Sequence, residues 1–335
     1  MAEVISQFKS KAVCTVITAD YFHYALTLNE SILAHSVDAI PFYVLDVHSK
    51  LEASVLPGPL PENVVIVHLA DLLKESEMAR KLQATYAQED RGMLRWALKS
   101  VLMEWVLERH ETCLYLDNDL CFYDDFSFLW EALEESQILL TPHWRVIEPE
   151  FNDPVVKRNI ELTYMHGLYN AGFIGVGRKA LDFLRWWSRC CLSYQELRHH
   201  TGIYVDQTFL NVVPLNFEGV RILEHRGCNV SAWNFHVCKR SRDAQGRIWI
   251  NEKYPLVFTH FAWGYEQTFE RGEDLLIEPL WRGWKERLLF WEVYSRPYRS
   301  ELKISFLLRV KQSLSWRLLS LFDRSLGLAG LQRKR

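Results

Sequence analysis

Residues 113–125 read CLYLDNDLCFYDD. An apolar run, Cys113–Leu116, leads straight into Asp117-Asn118-Asp119, so two carboxylates emerge where a strand ends. In open α/β sheets, ligands bind beyond the carboxyl ends of the strands. Carboxylates at i and i+2 both turn toward one hard cation if the chain leaves the strand there. Mg²⁺ or Mn²⁺ takes a few such carboxylates together with phosphate oxygens. The same pattern also describes a strand closing in a solvated acidic turn, and a lone Asp-x-Asp does not separate the two. Asp124-Asp125 fits the plainer description, as a turn or helix start ahead of Phe126–Leu133.

Upstream, short apolar runs alternate with helical stretches. Ala12–Ala19 is a continuous buried-strand pattern, and Ala25–Ala34 then places apolar residues on one helix face. Pro41–Val47 and Val64–Leu69 are two more strands, separated by the loop Pro57-Gly58-Pro59-Leu60-Pro61. Arg91–Arg109 is a long helical run entering Cys113–Leu116. Strands apolar on both faces and joined by helices predict an α/β fold with a mostly parallel central sheet of nucleotide-binding type. Downstream, strands are expected near 138–141, 171–176, 221–224 and 256–260, with a helix near 178–197. Residues 143–168 and 236–254 show no interpretable pattern.

Polar groups recur at the ends of these strands. Thr18-Ala19-Asp20 closes the first, where a carboxylate can meet a base or ribose. Asn170 lies beside Ala171-Gly172 at the head of a strand, Asp206-Gln207 start a helix-like run, and His260 ends a strand within Thr259–Gly264. His260 can complete a metal site with Asp117 and Asp119. Each alone is as well explained by a cap, a packing contact or a core histidine; the set is harder to explain that way.

In this order the segments resemble family 8-type glycosyltransferases of the GT-A fold. The carriers are ITAD and its helix within Thr15–Ser36, YLDND, YNAGFIGV, YVDQTFLN and the Thr-His-Phe segment. Gly227-Cys228-Asn229-Val230-Ser231-Ala232-Trp233-Asn234 is similar to a segment of a bacterial branch, and the resemblance spans roughly residues 12–265. It implies a nucleotide-sugar donor, a UDP-sugar first, a glycan or lipid-linked acceptor and a retaining reaction. It implies Mn²⁺ (or Mg²⁺) on Asp117, Asp119 and His260. Donor contacts would come from Thr18, Ala19, Asp20, Arg95, Lys99, Asn118 and Gly264, and Asn170, Asp206 and Gln207 would line the reacting sugar and acceptor. Arg95 and Lys99 are equally read as a solvated helix face pairing with Glu104 or Glu108. One departure stands out: Trp263 intervenes before Gly264, and Glu266-Gln267-Thr268 follow without the family's lysine. The distal phosphate then needs another cation, with Arg271, Arg95 and Lys99 as candidates. That gap is the one feature favouring a degenerate binding or scaffold protein. A sugar-phosphate nucleotidyltransferase is disfavoured because no Gly-rich loop follows the first strand.

The chain has 335 residues, 49% of them hydrophobic, enough for a large core. Seven cysteines without CxxC spacing predict reduced thiols. The first residues have no apolar leader and no segment is long enough to span a bilayer, which predicts a cytoplasmic protein. The net charge of -3 hides an asymmetry, because Trp281–Arg335 holds thirteen basic and four acidic residues. We expect a catalytic domain over 1–280 and a basic amphipathic helical extension over 281–335. Within it, residues 303–324 form either a helix packed on its own domain or a peripheral contact with the inner membrane face. Nucleic acid is not expected, since the remaining chain is acidic.

Overall fold

The computed structural model describes residues 11–86, 91–145, 154–195, 197–198, 202–262 and 264–299. A seven-stranded sheet organises them. Its strands are β1 (Lys11–Ile17), β2 (Phe42–Asp46), β3 (Val64–His68), β4 (Thr112–Leu116), β6 (Ile138–Pro142), β7 (Tyr169–Gly177) and Val220–Ile222. A short strand β5 (Leu120–Phe122) lies outside it. Across the sheet the order is Val220–Ile222, β6, β7, β4, β1, β2, β3. All neighbours are parallel except β7, which runs antiparallel to both β4 and β6. The expected mixed α/β architecture with a mostly parallel sheet is what forms.

Alternation along β1 shows why its sequence is continuously apolar. Ala12, Cys14 and Val16 join a core with the helix Arg91–Leu107, while Val13 and Ile17 join another with the helix Phe22–His35. With side chains alternating between two buried faces, neither face leaves room for polar residues. The chain winds from β1 to β2 and β3 on one side and has β4 on the other, so the switch point falls between β1 and β4. Thr18 and Asp117 are the first residues beyond those two strand ends. A crevice at such a point is where an open sheet receives its ligand.

β5 pairs antiparallel with the strand Phe258–His260, His260 opposite Leu120. A parallel bridge joins Val230 to Thr259. Both stretches without a readable pattern contain regular structure. The first includes the helix Pro154–His166, and the second an antiparallel trio, Arg240–Arg242, Ile248–Ile250 and Tyr254–Pro255.

The helix Glu278–Trp291, inside which residue 281 falls, packs on Phe22–His35 through the buried Trp284 and Leu288. Among the described residues no helix is long and apolar enough to cross a membrane. The stretch 303–324 lies outside the described residues, as does Trp263. All seven cysteines are free thiols, Cys14 and Cys113 with sulfurs 3.5 Å apart across β1 and β4.

Candidate metal centre

Asp117 leaves β4 with its N–H donating to Gly172 O at 2.7 Å, and its own carbonyl accepts Leu120 N–H at 3.2 Å. That tight turn puts Asp117 and Asp119 at one site. Phe261 N–H donates to Asp119 O at 2.9 Å, and the β5 pairing brings His260 alongside. One ligand atom from each of Asp117, Asp119 and His260 lies within 4.8 Å of the others.

The imidazole is held from behind. Asn229 Oδ1 and Asn170 Nδ2 each lie 3.2 Å from His260 Nδ1. Asn170 Oδ1 accepts Gly172 N–H at 2.6 Å, and Asn229 Nδ2 donates to Pro142 O at 3.2 Å. These bonds make Asn229 Oδ1 an acceptor, which Asn170 Nδ2 meets at 3.3 Å and an Nδ1–H of His260 can share, leaving Nε2 to face forward. Nε2 lies 3.0 Å from the buried Asp119 Oδ1. Two lone pairs at that distance require a positive charge between them. Without a metal it is a proton: burial pushes the His260 pKa down, but the Asp119 carboxylate outweighs this and raises it. Conversely, burial raises the Asp119 pKa and His260 more than reverses that. A divalent cation would displace that proton.

Gly172 completes the cradle. A Cβ there would lie 2.5 Å from His260 Cε1 and 2.8 Å from Asp117 Oδ2. Only glycine lets both ligands close over the β7 backbone. The oxygen-rich donor set with one imidazole suits Mn²⁺ or Mg²⁺.

Lys99 sits behind the aspartates. Its Nζ lies 3.2 Å from both Asp117 Oδ1 and Asp206 Oδ2 and donates to Ala171 O at 3.1 Å. Tyr115 O–H also donates to Asp117 Oδ1, at 2.8 Å. The alternative reading of a solvated face pairing with Glu104 or Glu108 does not hold for Lys99, which is buried; Glu104 takes Arg185 and Glu108 takes Arg109. Those pairings use helix spacing alone, whereas the sheet edge offers Lys99 two carboxylates from other elements. Burial lowers the Lys99 pKa and the two carboxylates more than restore it. Asp206 is pushed up to about 6, first by burial and then by Asp117, with Lys99 opposing. Gln207 bridges β7 to the helix before it, accepting Ala171 N–H at 3.1 Å and donating to His166 O at 2.7 Å.

Two clefts flank Asn118 and Asp119. One, of about 210 Å³, is lined by Tyr21, Arg95, Lys99 and Asp117. The guanidinium of Arg95 stands 5.8 Å over the Tyr21 ring. The other, of about 340 Å³, is lined by Tyr21, Tyr24, Gly264, Trp284 and Lys285. Thr18 and Ala19 are buried, and Tyr21, rather than Thr18, Ala19 or Asp20, lines both clefts. Gly264 has φ +115°, a backbone region open to glycine. Arg271, a candidate phosphate cation, instead pairs with Glu273 at 2.8 Å outside both clefts. Lys285 stands at the cleft wall, 3.7 Å from Glu266. Sequence reasoning missed Tyr21, Tyr24, Trp284 and Lys285; the aromatic density around Tyr21–Tyr24 was the only available signal. Asp125 forms the turn just ahead of the helix Ser127–Glu135, accepting Ser127 Oγ–H at 2.6 Å. A larger hollow, of about 760 Å³ between Phe128 and Ile222, lacks such a cluster and lies away from these residues.

No protein-family profile matches the chain. It is similar to two uncharacterised proteins of Bacillus subtilis (strain 168). YfnF is 29% identical over 266 residues, 76% of this chain and 82% of YfnF. YfnD is 25% identical over 268 residues, 78% of this chain and 80% of YfnD. Among solved structures, the galactosyltransferase LgtC in complex with donor and acceptor sugar analogues aligns with a TM-score of 0.49 and 20% identity, over 82% of this chain and 99% of LgtC. The glycosyltransferase GlyE of Streptococcus pneumoniae TIGR4 aligns with a TM-score of 0.44 and 15% identity, over 88% of this chain and 64% of GlyE. At that level of overlap, function rests on this chain's own site residues.

Proposed function

We propose that this chain is a metal-dependent glycosyltransferase of the GT-A, family 8-like type. It would move a sugar, with retention, from a nucleotide-diphosphate donor, a UDP-sugar first, to a glycan or lipid-linked acceptor. The observation that carries the reading is the convergence of Asp117, Asp119 and His260 on one point at the sheet's switch point. Asp119 Oδ1 faces, at 3.0 Å, the Nε2 of an imidazole backed by Asn229.

Asp117, Asp119 and His260 would hold Mn²⁺ or Mg²⁺. When bound, the ion supplies Lewis-acid neutralisation of the charge that develops on a departing diphosphate. Lys285 and Arg95, one in each flanking cleft, are the cations placed to meet the remaining phosphate charge. They fill the gap left by the missing lysine after Gly264. Tyr21 and Tyr24 offer aromatic faces to a nucleobase. Lys99 offsets the repulsion between Asp117 and Asp206, so both can stay charged beside the incoming donor. Asp206, Gln207 and Asn170 are assigned to the sugar and acceptor side, and Asn118 and Gly264 to the donor. The catalytic unit is assigned to 1–280 together with the rest of the helix Glu278–Trp291, which carries Trp284 and Lys285 to the cleft, and the remaining basic extension is assigned to bringing the enzyme to the inner membrane face.

The test is a screen of UDP-, GDP- and CDP-sugars for Mn²⁺-dependent donor hydrolysis. Asp119→Ala should abolish hydrolysis and transfer while circular dichroism shows the fold intact. An active, metal-independent Asp119→Ala protein would sink the reading.

A further inference from the structure

Among the described residues Arg145 makes no ion pair, and its Nε is buried without a hydrogen-bond acceptor. Arg158, by contrast, pairs with Glu161 at 3.1 Å. The neighbouring Trp144 likewise has a buried Nε1 without an acceptor, on a backbone held at φ 54°. A guanidinium taken partly out of water without a carboxylate is costly, and the cost is relieved when an anion arrives.

Its surroundings point the same way. The Arg145 guanidinium lies 5.9 Å from the Trp233 ring, whose Nε1 donates to His143 O at 3.0 Å. Trp233 in turn meets His260 edge-on with ring centroids 5.1 Å apart. Arg145 thus reaches the metal centre through one tryptophan. Neither cleft assigned to the donor includes Arg145 or Trp233. Arg145 therefore stands outside the space given to the donor.

We infer that Arg145, backed by Trp233, is the anchor for an anionic oxygen group, phosphate or carboxylate, on the acceptor. The inference rests on the reading of Asp117, Asp119 and His260 as a sugar-transfer centre. Arginine's planar fork suits both groups, which it can bind with two parallel hydrogen bonds.

Thermal unfolding in EDTA, with inorganic phosphate or acetate as the probe, tests the anchor without turnover. The wild-type midpoint should rise with the logarithm of anion concentration. Arg145→Met should lose that rise and Arg145→Lys keep part of it. Arg109→Met, which removes another arginine stacked on a tryptophan, should keep all of it. Asp119→Ala should lose the response to Mn²⁺ yet keep the response to phosphate, which separates failure of the anchor from failure of the metal reading. Whichever anion acts alone assigns the group. In turnover, glucose 1-phosphate or glucuronate should stimulate Mn²⁺-dependent release of the nucleoside diphosphate at about tenfold or more lower concentration than glucose, and Arg145→Met should erase that preference. No response to either anion, an unchanged response in Arg145→Met, or equal stimulation by glucose overturns the inference.

Discussion

Asn229 Oδ1 lies 3.2 Å from His260 Nδ1, and the same asparagine is buried with φ 59°. The residue thus combines a left-handed backbone, which asparagine tolerates, with an acceptor that sets the histidine tautomer. Removing the acceptor frees the imidazole to turn and to carry its proton on Nε2. Asn229→Leu should weaken Mn²⁺ binding by about 10–100-fold, as loss of an outer-shell partner usually does. Isothermal titration with Mn²⁺ measures it; wild-type affinity in this variant would show that Asn229 does not orient the ligand.

Gly172 leaves no room for a side chain, because His260 and Asp117 close over its Cβ position. A methyl group 2.5 Å from His260 Cε1 and 2.8 Å from Asp117 Oδ2 must push one of them aside. Gly172→Ala should therefore lose Mn²⁺-dependent activity by at least about 100-fold, since displacements of order 1 Å have that effect. Activity at increasing Mn²⁺ checks this, and full activity at ordinary Mn²⁺ would mean the cradle is looser than its geometry.

Much of this arrangement was legible in the chain itself. β1 and β4 are apolar on both faces, so their patterns are continuous and end sharply at Thr18 and Asp117. His260 was legible as a strand end, and β5 pairing then brings it to Asp119. The direction of β7 was not, because a strand buried on both faces reads the same parallel or antiparallel. Burial of Lys99 was hidden because Arg95 and Lys99, one turn apart, look like a solvated stripe. Only the fold shows that Asp206, from a distant segment, closes over the lysine. Lys285 and Trp284 come from a helix past the motifs and reach the cleft by packing on Phe22–His35, which no local pattern encodes.

The segment carrying Asn229 depends on a buried ion pair. Arg240 Nη2 lies 2.9 Å from Asp274 Oδ2 and donates to Ser231 O at 2.8 Å, with the two side chains 4% and 1% exposed. Asp274→Asn leaves a buried guanidinium uncompensated and should destabilise the protein by about 3–5 kcal/mol. The Arg240→Met/Asp274→Leu double variant should recover most of that loss, since neither charge then needs a partner. Urea unfolding of the three proteins decides it; a double variant no more stable than Asp274→Asn would contradict the idea.

His23 ties residues 292–299 to the first helix in a form that acid should break. Ser295 Oγ accepts His23 N–H at 2.9 Å and lies 2.9 Å from Nδ1, while Arg299 Nη2 approaches Nε2 at 3.2 Å. A guanidinium only donates, so Nε2 is the acceptor and the ring is neutral, with its proton on Nδ1. Protonating Nε2 sets two donors and two positive charges against each other. Burial, then Arg299, lowers the His23 pKa to about 4. An unfolded histidine titrates near 6.5. Between those values the unfolded chain binds more protons than the folded one, so stability rises with pH and is lost as pH falls from about 6.5 toward 4. The full loss below pH 4 is about 3 kcal/mol at one pKa unit per 1.36 kcal/mol. His23→Gln cannot be charged, and its urea midpoint should fall less than the wild-type midpoint between pH 7 and 5. Parallel decline in both proteins would assign the acid sensitivity to other groups.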